Sequence, residues 1–142
     1  MPAIDTSAIG NIGESRVLFE LTRLGIQCYL PYCGTGDIDL VANINGILKK
    51  IQIKTIIHPN KSGAMEWKTT RQDGFHGKRA PYNHSSIDYF ALYCVDTDTV
   101  CFVKYEEGFP SFTISIRPDN YPGHRKSGMR FVSDYVAEKV LF

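Results

Sequence analysis

Over residues 7–24 the apolar positions recur at helical spacing and Gly25 follows as a stop, so an α-helix is predicted there. On a wheel of about 100° per residue, Val17, Leu18, Leu21 and Leu24 fall within about 80° of Glu14, which sets this carboxylate inside the apolar stripe. The pattern then changes to alternation. A short strand is expected over 27–30, a hairpin over 37–57, strands over 88–95 and 100–104, and a further strand over 112–116. The polar stretch 58–86 is too long for a plain connector, so it is expected to be functional or to carry its own short strand. A last short helix is predicted over 133–141. One helix ahead of a mostly antiparallel sheet, with a second helix at the end, reads as α/β or α+β.

The hairpin is the most explicit element. Asn45-Gly46 supplies the two residues that tolerate positive φ in a two-residue turn, and such a turn sets the register. With Ile44 opposite Ile47, Asp39 falls across from Gln52 and Asp37 across from Lys54. One face carries Ile38, Leu40, Ala42, Ile44, Ile47, Ile51 and Ile53, interrupted only by Lys49, and is assigned to the core. The other gathers Asp37, Asp39, Gln52 and Lys54 at the end far from the turn. Cross-strand Asp–Lys pairs on a solvated face would account for that grouping. Glu14 offers another account. Burying a carboxylate costs several kcal/mol unless it is paired or bound to a cation. Glu14 therefore either turns outward or reaches the sheet edge and joins Asp39 and Gln52 around a metal.

Length and composition narrow the class. The 142 residues suit one domain over 1–142, and 43% hydrophobic with 22% charged residues describes a globular chain rather than a disordered one. No stretch approaches the roughly 18–20 apolar residues of a membrane span, and residues 1–13 lack the regions of a signal peptide. A cytoplasmic location, or its organellar or nucleoid equivalent, is expected, with no secretion and no membrane partner. Cys28, Cys33, Cys94 and Cys101 have neither zinc-ribbon spacing nor nearby histidines to complete a ligand set, so free and mostly buried thiols are expected. The net charge of +1 conceals segregation: residues 49–79 carry eight basic side chains against two acidic ones, and residues 117–130 four against one. Basic blocks in Gly-, Asn- and Ser-rich stretches are either ordinary solvated surface or phosphate contacts.

Taken together, Gly13-Glu14 in the first helix, Asp39-Leu40-Val41 and then Gln52-Ile53-Lys54-Thr55 resemble the PD-(D/E)XK nuclease superfamily over residues 10–57, and the strands at 87–93 and 100–104 are similar to later elements of that group. Ile38 stands where the motif has Pro, and Gln52 where most members carry Asp or Glu. A Q-x-K form occurs in the small group I intron-encoded homing endonucleases, whose length and motif spacing are similar. The Holliday-junction resolvases of archaea share the Gly-Glu helix but usually keep Glu at the position of Gln52.

The resemblance implies a restriction-endonuclease-like α/β core, a mixed and mostly antiparallel sheet flanked by helices. It implies hydrolysis of phosphodiester bonds in double-stranded DNA by a homing-type endonuclease that depends on Mg²⁺, with Mn²⁺ as a substitute. Glu14, Asp39, Gln52 and Lys54 would be catalytic, with the metal on Asp39, Gln52 and Glu14 and with Lys54 orienting water or offsetting charge at phosphorus. Lys49, Lys50, Lys61, Lys68, Arg71, Lys78 and Arg79 would follow the DNA phosphates. Asn60, Trp67, Gln72 and Asn83 have the chemistry to read bases, while His76 and His84 receive no role. Cutting both strands with one site per chain implies a homodimer or homotetramer, for which Phe19 on the polar helix face is a candidate contact. The alternatives are a branched-DNA resolvase of the same fold and a DNA-binding module that has lost catalysis.

Overall fold

A computed structural model of the chain describes residues 5–34, 36–72, 78–110 and 112–142. Phe75 and His76 of the first basic block lie outside the described residues. Helix α1 (Thr6–Arg23) begins at Asp5, whose carboxylate accepts the Ala8 N–H at 2.7 Å, and ends where Gly25 turns the chain at φ 78°. Gly13, Val17 and Leu21, spaced four apart, are its buried residues. Glu14 is exposed. The expectation that it lies on a core-facing stripe is therefore corrected: the buried direction is centred on a line through Gly13, narrower than the apolar sector suggested, and Leu18 and Leu24 are only half-buried.

The main sheet contains β1 (Cys28–Tyr29), β2 (Leu40–Ile44), β3 (Ile47–Ile56), β7 (Tyr89–Cys94) and β8 (Thr99–Lys104), in the order β1-β2-β3-β7-β8. All neighbours are antiparallel except β3 and β7, which run parallel. Asn45 and Gly46 adopt φ 53° and 85°, and the pairs run from Leu40↔Ile51 to Ile44↔Ile47, the register expected from the turn.

Each face of the sheet has its own core. Val17, Leu21, Leu40, Ala42, Ile51 and Ile53 pack with Phe102 and Leu141 on the helix side. On the other side Phe90 and Leu92 pack with Trp67, Ile114 and Ile116 of a two-stranded sheet formed by β4 (Met65–Lys68) and β9 (Thr113–Ile116). Strand β7 is buried along its whole length, which accounts for its unbroken apolar run. The stretch 58–86 does carry strands of its own: β4, and a hairpin of β5 (Thr70–Gln72) with β6 (Arg79–Pro81).

The predicted closing helix is shorter than expected. A single 3-10 turn (Val132–Asp134) precedes α2 (Ala137–Val140), because between them the Tyr135 carbonyl leaves the helical pattern to accept the Phe102 N–H of β8 at 2.8 Å. The four cysteines are free, with Cys94 and Cys101 buried, Cys28 half-buried and Cys33 exposed. No helix among the described residues is long and apolar enough to cross a membrane.

Candidate active site

Strand β3 outruns its hairpin partner. Its ladder with β2 stops at Leu40↔Ile51, whereas its pairing with β7 continues to Ile56↔Cys94. In the gap the Asp39 N–H donates to the Ile51 carbonyl at 2.9 Å, and the Asp39 carboxylate accepts the Ile53 N–H at 2.7 Å. The side chain thus takes over from a missing backbone acceptor and is locked against the strand edge. Helix α1 rests on the same strand, at Thr55. A Cβ on Gly13 would lie 1.7 Å from Thr55 Oγ1, so only glycine lets the helix backbone rest on β3. That seat brings Glu14 to the end of the strand. Glu14 lines one cavity of about 330 Å³ with Leu30, Pro31, Ile38 and Asp39, and a second of about 490 Å³ with Lys54, Thr55, Lys68 and Arg79.

The groups perturb one another. Burial is the main cause that pushes the Asp39 carboxyl from 3.8 to about 6; the Ile53 N–H opposes the rise, and the neighbouring Glu14 and Asp37 charges add to it. Burial, followed by repulsion from Arg79, lowers the Lys54 ammonium, against the pull of Asp39 and Asp37. Lys54 forms no cross-strand pair with Asp37. Its Nζ donates to the Tyr82 hydroxyl at 2.7 Å and to the Thr70 carbonyl at 3.1 Å. Asp37 has Arg71 at 4.0 Å instead. The Asp39–Gln52 and Asp37–Lys54 pairs expected from the register are absent from the ladder because β2 begins only at Leu40.

No cluster of three His, Cys, Asp or Glu side chains able to hold a metal occurs among the described residues. Mg²⁺ asks for less, since one or two carboxylates suffice when waters and a phosphate oxygen complete the shell. Asp39 and Glu14 supply hard carboxylate oxygens of this kind, and an Asp39 carboxyl raised by burial and like charges is relieved by a cation. The residues present fit Mg²⁺.

Gln52 is half-buried, with its Nε2 3.3 Å from the Ile53 carbonyl. Of the seven basic residues expected on DNA, Lys68 and Arg79 line the larger cavity. Arg71 lies beside Asp37, and Lys61 and Lys78 are exposed. Lys49 and Lys50 sit toward the hairpin turn. Lys50 is tied inward, its ammonium on the Ser85 carbonyl and its N–H on the Asp88 carboxylate at 2.8 Å.

Three of the candidate base readers have other duties. Trp67 is 0% exposed and donates Nε1 to the Tyr93 carbonyl at 2.9 Å. Asn60 and Asn83 spend their side-chain oxygens within their own turns, on the N–H groups of Ser62 and Ala64 and of Ser85 respectively. Tyr82 and Thr70, which hold Lys54, are neighbours that sequence reasoning missed. Thr70 lies on β5 and Tyr82 directly follows β6, and no local pattern links them to β3.

A family model described as PD-(D/E)XK endonuclease matches residues 4–135. Among solved structures the chain is similar to a bacterial homing endonuclease, I-Ssp6803I, with a TM-score of 0.72 and 20% identity over 87% of this chain and 85% of that one. Among curated proteins none matches.

Proposed function

The chain belongs to the PD-(D/E)XK endonuclease family, and on that premise we propose that it is a Mg²⁺-dependent, homing-type endonuclease that cuts both strands of DNA at a specific site. The observation that carries this reading is the meeting of Glu14, Asp39 and Lys54 at the end of β3, beside a cleft that also receives Lys68 and Arg79.

In this reading Asp39, Glu14 and Gln52 hold Mg²⁺, and Mn²⁺ substitutes for it. The bound ion supplies an activated water and charge stabilisation for the leaving oxygen. Asp39 is held in place by the Ile53 N–H and spends no further conformational freedom on binding. Gln52 offers a neutral oxygen, so the site binds the ion more weakly than one with Glu at that position. Lys54 orients the attacking water or offsets the charge that builds on phosphorus, and its lowered pKa favours the first task, since charge offset needs the ammonium form. Lys68 and Arg79 take the phosphates nearest the cut, with Arg71, Lys78, Lys61 and Lys49 farther along and Lys50 contributing least. Two cuts in opposite strands need two copies of the site, so the active form is a homodimer or homotetramer. Phe19, 59% exposed with the Arg16 guanidinium 5.4 Å from its ring, is the contact suggested for it.

The test is cleavage of a randomised duplex library and of four-way junctions, with Mg²⁺ or with EDTA, by wild type, Asp39→Ala and Lys54→Ala. Mg²⁺-dependent double-strand ends at one sequence, lost in both variants, are expected. Metal-independent cutting, or cutting undiminished in both variants, sinks the catalytic assignment. A preference for junctions makes the protein a resolvase instead, and DNA binding with no cleavage of any substrate makes it a binding module.

A further inference from the structure

Lys54 has three ammonium N–H groups and four rotatable bonds, and two carboxylates, Asp37 and Asp39, lie within its electrostatic range. An unrestrained lysine would settle on one of them. Lys54 settles on neither, since its N–H groups go to the Tyr82 hydroxyl and the Thr70 carbonyl, with Nζ 4.9 Å from the centre of the Tyr82 ring. Tyr82 can act as a fixed point because it is itself anchored. It is 6% exposed, its ring meets Phe90 edge to face at 5.6 Å, and its backbone carbonyl accepts the Tyr105 hydroxyl. The Thr70 carbonyl also accepts the Arg79 guanidinium at 3.2 Å.

We propose that Tyr82 is a positioning residue for catalysis: its hydroxyl, with the Thr70 carbonyl, keeps the Lys54 ammonium off the Asp37 and Asp39 carboxylates and leaves one N–H for the water or phosphate oxygen at the reacting centre. The inference rests on the endonuclease reading of this site. It explains how a lysine and a metal-holding carboxylate share one strand end without neutralising each other. A Lys54–Asp39 ion pair would occupy the oxygen that the cation needs.

Tyr82→Phe isolates the hydroxyl, because the ring contact with Phe90 and the backbone carbonyl bonded to Tyr105 stay in place. The substrate is a duplex carrying the site that the wild-type protein cuts, and the measurements are the single-turnover rate at saturating Mg²⁺, the duplex Kd in EDTA and the Tm. The rate is expected to fall about 10- to 100-fold, as for a catalytic group moved by about 1 Å, with Kd and Tm unchanged. A rate within about twofold of wild type overturns the proposal, as does a fall matched by weaker DNA binding or a lower Tm, which is the signature of a structural role. Lys54→Ala is run alongside. If it is inactive while Tyr82→Phe is fully active, only the positioning role is lost; if it is itself fully active, the catalytic role of Lys54 falls and this inference with it; if the wild-type protein cuts no duplex at all, the endonuclease reading falls.

Discussion

Asp39→Asn should destroy cleavage and at the same time make the metal-free protein more stable. Asparagine keeps an oxygen that can accept the Ile53 N–H, which Asp39 binds at 2.7 Å, and removes the half-buried negative charge. The carboxyl is raised from 3.8 to about 6 by folding, chiefly through burial, so the folded wild type binds more protons than the unfolded chain between those values. Its stability from this group is therefore greatest in acid and declines as pH rises through the window, whereas the amide of the variant is neutral in both states.

At about 1.4 kcal/mol per pKa step the advantage of the variant at neutral pH has a ceiling of about 3 kcal/mol, and solvent screening of a half-buried group reduces it to about 1–2 kcal/mol. For a chain of this size that is a Tm rise of about 3–8 °C. Thermal melts in EDTA should show the full gap at about pH 7.5 and about a third of it at pH 4.5. Titrating Mg²⁺ should raise the wild-type Tm and leave Asp39→Asn nearly unmoved, reversing the order of the two proteins. A variant no more stable than wild type in EDTA at neutral pH, or a gap that ignores pH, would show that the site does not strain its own carboxylate.

Gly13→Ala drives a methyl into Thr55, where the branched Cβ as well as the Oγ1 is too close, and α1 must lift from β3. A loss of about 1–3 kcal/mol in denaturant melts is expected, together with reduced cleavage as Glu14 withdraws. Lys68→Ala with Arg79→Ala should weaken DNA binding and lower the slope of log Kd against log salt by about two, while Lys50→Ala should leave that slope unaltered because its ammonium is bound to Ser85; binding titrations across ionic strength decide this. Trp67→Ala should cost about 3–5 kcal/mol of stability rather than acting only on DNA affinity, since the ring is fully buried and hydrogen-bonded; an unchanged Tm would contradict its place in the core.

What could be read from the chain tracks how local the determining physics is. Asn45-Gly46 dictates its turn within a few residues, and the register from Leu40↔Ile51 to Ile44↔Ile47 follows from it. Beyond Leu40 the same extrapolation fails, because nothing in the hairpin announces that the Asp39 side chain will replace a backbone acceptor. For Glu14 the sequence leaves two readings, turning outward or reaching the sheet edge; it is exposed and lines cavities with Asp39 and with Lys54 and Thr55. The buried line of α1 passes through Gly13, and a glycine seat opposite Thr55 leaves no trace in a hydrophobicity wheel. Trp67 illustrates a signal that is present yet short: Met65 and Trp67 point inward while Glu66 and Lys68 point out, a period of two over only four residues within a basic stretch. The anchoring of Lys54 by Tyr82 was out of reach, since it depends on a hairpin that β3 meets only in three dimensions.

The parallel pairing of β3 with β7 has a consequence for how the protein comes into being. It ties residues 51–56 to residues 89–94, so the whole intervening chain, including the hairpin with Thr70 and Tyr82, is one long crossover. The β2–β3 hairpin is a local structure that closes quickly, whereas the crossover must lose its freedom before its contacts repay the cost. The part of β3 up to Ile51 is therefore expected early, whereas Lys54, beyond the ladder with β2, waits together with Tyr82 for the crossover to close. Order of assembly thus brings the proposed site together in one late step, since Lys54, Thr70 and Tyr82 all depend on the closed crossover.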